Sequence, residues 1–170
     1  MTAPVLAPIA PLTDGFGRKF HYLRLSVEDT CNFHCLYCLP NGYHKAEELP
    51  PLSAAEIARL VRGFSQMGFW KVRLTGGEPT VRQDIAQIAE AVLQTPGIRQ
   101  VSLSTNGYRL AQLAYDLKKA GIASINVSVD SLNAKRFAEI TGHDKLALVL
   151  EGIEAALKLG IKIKLNAVLM

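Results

Sequence analysis

The sequence predicts an α/β fold, a partial (β/α) barrel of about five parallel strands with outer helices, and three observations predict it. Short β-branched runs alternate with amphipathic helical patterns from Phe20 onward. The connections are short, which for strand–helix–strand units implies parallel strands with right-handed crossovers. Glycines, cysteines and polar residues gather at or just after the ends of four successive strands. A barrel builds its site on that whole rim, whereas an open doubly wound sheet uses mainly one switch point.

The elements follow in order. Phe20 to Val27 (FHYLRLSV) reads as the first strand. Ser53-Ala54-Ala55-Glu56 is a capping box, and it opens a helix from Ser53 to Met67 whose Ile57, Leu60, Val61 and Phe64 fall on one stripe. Trp70 to Leu74 is the second strand, followed by Gly76-Gly77 and a helix from about Gln83 to Gln94. Arg99 to Ser104 is the third strand, and Leu110 to Ala120 a helix stopped by Gly121. Ser124 to Val129 is the fourth strand; Asn133 to Ile140 and Lys145 to Leu159 are helices, the second ending at Gly160. Ile161 to Leu169 opens a fifth strand whose Leu165, Val168 and Leu169 adjoin an unpaired edge, an association liability.

Composition bounds the rest. A chain of 170 residues, 49% hydrophobic and 20% charged, suits one globular domain. No apolar run approaches the ~18–20 residues of a membrane helix. The opening residues lack a basic n-region and carry Pro4, Pro8 and Pro11, so they read as a leader rather than a secretory signal. The net charge of +4 is scattered, with no basic block of the kind that marks a nucleic-acid surface. Without an export signal or a disulfide framework, the expected setting is a reducing cytoplasm.

All 3 cysteines, Cys31, Cys35 and Cys38, fall within eight residues at C-x3-C-x2-C spacing. Such thiolates can converge on one metal centre. With His34 they would close a four-ligand zinc site. An iron–sulfur cluster usually takes four cysteines, so three would leave one iron open to a substrate or cofactor. Thr75-Gly76-Gly77-Glu78-Pro79 places two glycines, a carboxylate and a stiffening proline straight after the second strand, a turn able to bring its backbone close to a ligand. Ser104-Thr105-Asn106-Gly107 offers hydroxyl and amide groups at the next strand end.

Arg24-Leu25-Ser26-Val27 leading into the cysteine run, with Tyr37 in its last gap, Leu39-Pro40 after it and Arg73-Leu74-Thr75-Gly76-Gly77-Glu78-Pro79 beyond, resembles the radical S-adenosylmethionine (SAM) superfamily. With Ser104-Thr105-Asn106-Gly107 and Asn126-Val127-Ser128-Val129-Asp130-Ser131-Leu132 added, the chain is similar from about Arg18 to Met170 to one branch of it. That branch holds the GTP-cyclising lyases of the first step of molybdenum cofactor (molybdopterin) biosynthesis.

The resemblance implies a [4Fe–4S] cluster on Cys31, Cys35 and Cys38, its fourth iron binding SAM. It implies SAM contacts at Tyr37, Gly77 and Ser128, with Glu78 facing the methionyl ammonium. It places GTP against Arg24, Arg73, Ser104 and Lys164, Ser104 standing where the branch usually has threonine. Arg24 and Ser26 share one strand face, and basic side chains there are costly unless an anion such as a triphosphate pairs them. No catalytic side chain is expected beyond the cluster and SAM. The implied partners are GTP, a reductant protein such as flavodoxin or ferredoxin, a downstream cyclic pyranopterin monophosphate synthase and, at full length, a second copy; neither nucleic acid nor membrane is expected. Residues 1–17 are then a flexible leader and 18–170 a radical SAM core. The branch also carries a sixth strand and three further cysteines for a second cluster, so the core here is expected to be a truncated, incomplete part-barrel. Two other readings stand beside it: another radical SAM enzyme such as a peptide-modifying maturase, and a non-enzymatic zinc module on Cys31, Cys35, Cys38 and His34.

Overall fold

The computed structural model describes residues 10–43 and 50–169. Its strands Tyr22–Ser26 (β1), Lys71–Thr75 (β2), Gln100–Thr105 (β3), Ser124–Ser128 (β4) and Lys162–Asn166 (β5) form one parallel sheet in sequential order. Helices Ala54–Gln66 (α1), Ile85–Leu93 (α2), Leu110–Lys119 (α3), Ala134–Thr141 (α4) and Leu146–Lys158 (α5) fill the crossovers. Sequential order with crossovers of one hand lays the helices along the same face of the sheet. Accordingly α1 packs on α2, α2 on α3, and α3 on α5. This is the winding of a part-barrel; a doubly wound sheet would reverse its order.

Period-2 alternation divides the strands between two environments. Val72, Leu74, Val101, Leu103, Ile125 and Val127 are buried under the helices, and Ile57, Val61, Ile85, Ile88, Val92, Leu110, Leu117 and Val149 meet them. The opposite face is polar. The expected elements are all present, with shifted ends. α2 begins at Ile85 because a 3-10 turn, Pro79–Val81, takes the residues before it, and Asp84 spends its carboxylate on Arg82 rather than on a cap. β5 ends at Asn166, where Asn166 O still accepts from Val129 N. Residues 1–9 of the expected leader lie outside the described residues; after them Thr13 bridges Lys19, and Leu12 N donates to Met67 O.

The capping box forms as the sequence requires: Ser53 Oγ accepts from Glu56 N, and Glu56 Oε2 accepts from Ser53 N at 2.9 Å. Ser53→Ala is expected to lower stability by about 1 kcal/mol. A lower urea midpoint at unchanged slope would show it.

Candidate active site

The loop after β1 is hung from two supports. On one side Val27 N donates to Thr75 O, Gly77 N to Glu28 O at 2.7 Å and Glu78 N to Thr30 O at 2.8 Å. On the other, His34 N and Leu36 N donate to Thr141 O and Ile140 O, carbonyls at the C-terminal end of α4 that the helix itself leaves free. Cys31 and Cys35 are half-buried and Cys38 is exposed; none is in a disulfide. Burial pushes the Cys31 thiol up and the Cys35 thiol to about 11, against an N–H···S bond from Phe33 N to Cys31 Sγ at 3.5 Å. Bare, the Cys31 and Cys35 thiols hold their protons at neutral pH; bound cationic metal would favour the thiolates.

Tyr37, in the last gap of the cysteine run, donates its hydroxyl to Asp130 Oδ2 at 2.8 Å, and Asp130 Oδ1 accepts from Val168 N. One carboxylate therefore joins the cysteine loop to the chain beyond β5. His34 turns elsewhere: its ring lies 5.1 Å from that of His143, and its Nε2 stands against Gly42. Among the described residues, no three His, Cys, Asp or Glu side chains converge as ligands of a single metal ion.

The Gly76-Gly77 turn passes so close to the cysteine loop that only hydrogen fits. A Cβ on Gly77 would stand 2.5 Å from Asp29 O and Thr30 O. Glu78 is buried, and its carboxylate accepts from Thr80 N, Thr80 Oγ1, Thr105 Oγ1 and Asn106 N. Burial pushes that carboxyl up while these donors pull it down. Below the turn, Arg82 Nη1 reaches Val27 O at 2.9 Å, and its fork grips Asp84 through two bonds of 2.8 and 2.7 Å. The Arg82 guanidinium holds the Asp84 carboxyl below its ordinary 3.8. Asp84→Asn is expected to cost up to about 1 kcal/mol at neutral pH, since this carboxylate is partly solvated. A depressed pKa contributes stability that is fully present above the unfolded value and is lost as pH falls through the folded one. The difference between the two proteins should therefore fade as pH falls through the lowered Asp84 pKa, read from urea midpoints between neutral and strongly acid pH.

The polar sheet face brings the four expected nucleotide residues together. Arg24 is in register with Arg73, Arg73 Nη1 lies 3.5 Å from Ser104 Oγ, and Ser104 is in register with Asn126, which faces Lys164. Alternation adds Lys71 and Lys162 to the same face, which bears five cations, Arg24, Lys71, Arg73, Lys162 and Lys164, and no carboxylate. Arg73 Nε is buried there without a hydrogen-bond partner. Of the expected SAM residues, Tyr37, Gly77 and Glu78 lie on the loop and the turn just described, and Ser128 closes β4 in register with Asn166. Sequence reasoning missed Asn126, Lys71 and Lys162, although their two-residue spacing from Ser128, Arg73 and Lys164 was a usable signal. It quoted Asp130 in a motif without giving it a role, and it missed Arg82, Asn32 and Arg109, whose guanidinium binds Thr80 O and Val81 O. Their partners are distant in the chain or formed by loop backbone.

A singly wound parallel sheet with a three-cysteine loop at its first strand end defines a part-barrel protein built to carry a cluster at its rim. The comparisons name the family: residues 25–170 match the Radical SAM superfamily, and the chain belongs to it. It is 54% identical over 168 residues to a GTP 3',8-cyclase of Aeromonas hydrophila, covering 95% of this chain and 49% of that protein. It is 52% identical over 162 residues to one of Pasteurella multocida, covering 94% and 48%. The chain thus spans about half the length of these curated relatives. Among solved structures it resembles Streptococcus suis SuiB bound to S-adenosylmethionine (TM-score 0.67, 22% identity, 86% of this chain and 32% of that one). It also resembles the FeFe-hydrogenase maturase HydG of Carboxydothermus hydrogenoformans (TM-score 0.69, 22% identity, 86% and 35%). At such identity the likeness shows the fold alone.

The family implies a [4Fe–4S] cluster and SAM, and the residues present fit both. Three free thiols on one loop, with an amide already directed at the Cys31 sulfur, suit a cluster. The glycine turn lets the β2 rim pack directly on the backbone just before Cys31 and so fixes where that thiol stands. Among the described residues no helix is long and apolar enough to cross a membrane.

Proposed function

We propose that this chain is the SAM-cluster-bearing half of a GTP 3',8-cyclase of molybdenum cofactor biosynthesis. The observation that carries this reading is the acid-free strand face, where five cations and an unpartnered Arg73 Nε await an anion below the cysteine loop. Two neighbouring arginines on adjacent strands repel each other unless a counter-charge lies between them. A triphosphate supplies that charge and the bidentate oxygens that guanidinium groups favour.

In this reading Arg24, Arg73, Ser104 and Lys164 hold GTP, and Cys31, Cys35 and Cys38 hold the cluster. Tyr37, Gly77, Glu78 and Ser128 border SAM, Glu78 through the rim that it fixes. When bound, the cluster and SAM supply a one-electron cleavage of SAM to methionine and the 5'-deoxyadenosyl radical. With both bound, that chemistry would convert GTP to (8S)-3',8-cyclo-7,8-dihydroguanosine 5'-triphosphate, and Arg24, Arg73, Ser104 and Lys164 would hold the nucleotide for it. The chain's own part is to fix the ribose and to keep water from the radical. The electrons come from a reductant protein such as flavodoxin or ferredoxin, and the product passes to a cyclic pyranopterin monophosphate synthase. A cytoplasmic setting and a homodimer of the full-length protein belong to the same reading.

The test uses the anaerobically reconstituted chain with SAM, dithionite and nucleotide, alongside equilibrium binding. GTP should bind far more tightly than guanosine, with an affinity that falls as salt rises. 5'-Deoxyadenosine should form with GTP and not with ATP. Equal binding of guanosine and GTP would overturn the reading.

A further inference from the structure

Cys31 is bracketed by two hydrogen bonds that come from different strand ends. Before it, Thr30 O accepts from Glu78 N at 2.8 Å. After it, Asn32 Oδ1 accepts from Asn106 Nδ2 at 2.7 Å, a contact between side chains 74 residues apart. The Asn106 side chain has little freedom, because its Oδ1 accepts from Tyr108 N at 3.0 Å, an Asx turn that leaves Nδ2 for Asn32. Its backbone is equally held: Asn106 N donates to Glu78 Oε2 at 2.6 Å. Three more donors, Thr80 N, Thr80 Oγ1 and Thr105 Oγ1, fill Glu78 Oε1. Glu78 Oε1 is therefore fully occupied, and Oε2 is held by Asn106 N.

We infer that Asn32 and Asn106 are a positioning pair, anchored by Glu78, that sets the Cys31 sulfur and ties the cluster to the rims of β2 and β3. The inference rests on the family's cluster and is independent of which nucleotide the sheet face takes. Cys35 and Cys38 sit on the half of the loop hung from α4, so the pair governs one cluster ligand and not the others. It joins the cluster to Ser104 through two residues of β3 and its turn.

The test compares Asn32→Asp, which keeps the acceptor, with Asn32→Leu and Asn106→Ala, which remove the bond from either side. In the cluster-free protein, amide exchange at Gly77 and Glu78 should quicken about fivefold in Asn32→Leu, as losing a bond of ~1 kcal/mol requires, and stay at the parent rate in Asn32→Asp. In the reconstituted chain, the EPR spectrum of the reduced cluster should change in Asn32→Leu and Asn106→Ala. The Asn32→Leu/Asn106→Ala double variant should be little worse than either single one. Parent-like exchange and spectrum in Asn32→Leu would overturn the inference. So would fully additive losses in the double variant, or exchange in Asn32→Asp as fast as in Asn32→Leu.

Discussion

Gly77→Ala is expected to abolish cluster assembly. The added carbon would lie 2.5 Å from Asp29 O and Thr30 O and 2.7 Å from Thr30 C, all backbone atoms that no rotamer change can move. To admit it, the turn must part from the cysteine loop. That breaks Gly77 N to Glu28 O and Glu78 N to Thr30 O, the bonds that fix the loop just before Cys31. Overpacking of this kind with loss of buried hydrogen bonds costs about 3 kcal/mol or more. Because the strain falls on the rim, far-ultraviolet circular dichroism should still show a folded sheet while iron per chain falls at least tenfold. Gly63→Ala is the matched control: nothing stands within 4 Å of its Cβ in α1, so it should gain up to about 1 kcal/mol and load iron normally.

Arg73→Met is expected to weaken GTP binding by about tenfold to a hundredfold, the range for losing hydrogen bonds to a charged group. The same change should raise the stability of the nucleotide-free protein. Arg24 and Arg73 are in register on adjacent strands, where like charges destabilise, and a methionine sulfur can replace the Arg73 guanidinium that lies 5.9 Å from the Tyr22 ring. Opposite signs on binding and stability separate a ligand-binding arginine from a structural one, whose loss would lower both. Arg73→Lys should recover only part of the affinity, since a lysine lacks the planar fork that matches phosphate. Calorimetric titration with GTP at two salt concentrations, beside urea unfolding without nucleotide, measures both effects.

Much of this was legible in the sequence because it depends on local periodicity. The alternation in Lys71-Val72-Arg73-Leu74-Thr75 states which side chains go under the helices and which face the open side. Ser53 and Glu56 announce the start of α1 within four residues. The cysteine spacing is likewise local, so a metal or cluster site could be read from eight residues, while the family needed the Gly76-Gly77 turn and the later strand-end motifs as well. What stayed hidden depends on strand ends brought together by the winding of the sheet. Tyr37 and Asp130 are 93 residues apart, Thr105 and Glu78 are 27 apart, and nothing in their neighbours announces a bond. The sequence placed Glu78 on the rim but could not show that four donors already occupy its carboxylate. Asp84 looked like part of a helix start, and only the fold shows Arg82 taking it for the end of β1.

The central claim is that three cysteines and one glycine turn make a seat for a cluster with one iron left open. Anaerobic reconstitution with iron and sulfide, read by metal analysis and by EPR with and without SAM, tests it most directly. The account predicts a brown protein with about four irons and four sulfides per chain and a reduced-cluster spectrum that changes when SAM is added. A colourless protein holding one zinc per chain, or a cluster whose spectrum ignores SAM, would contradict it.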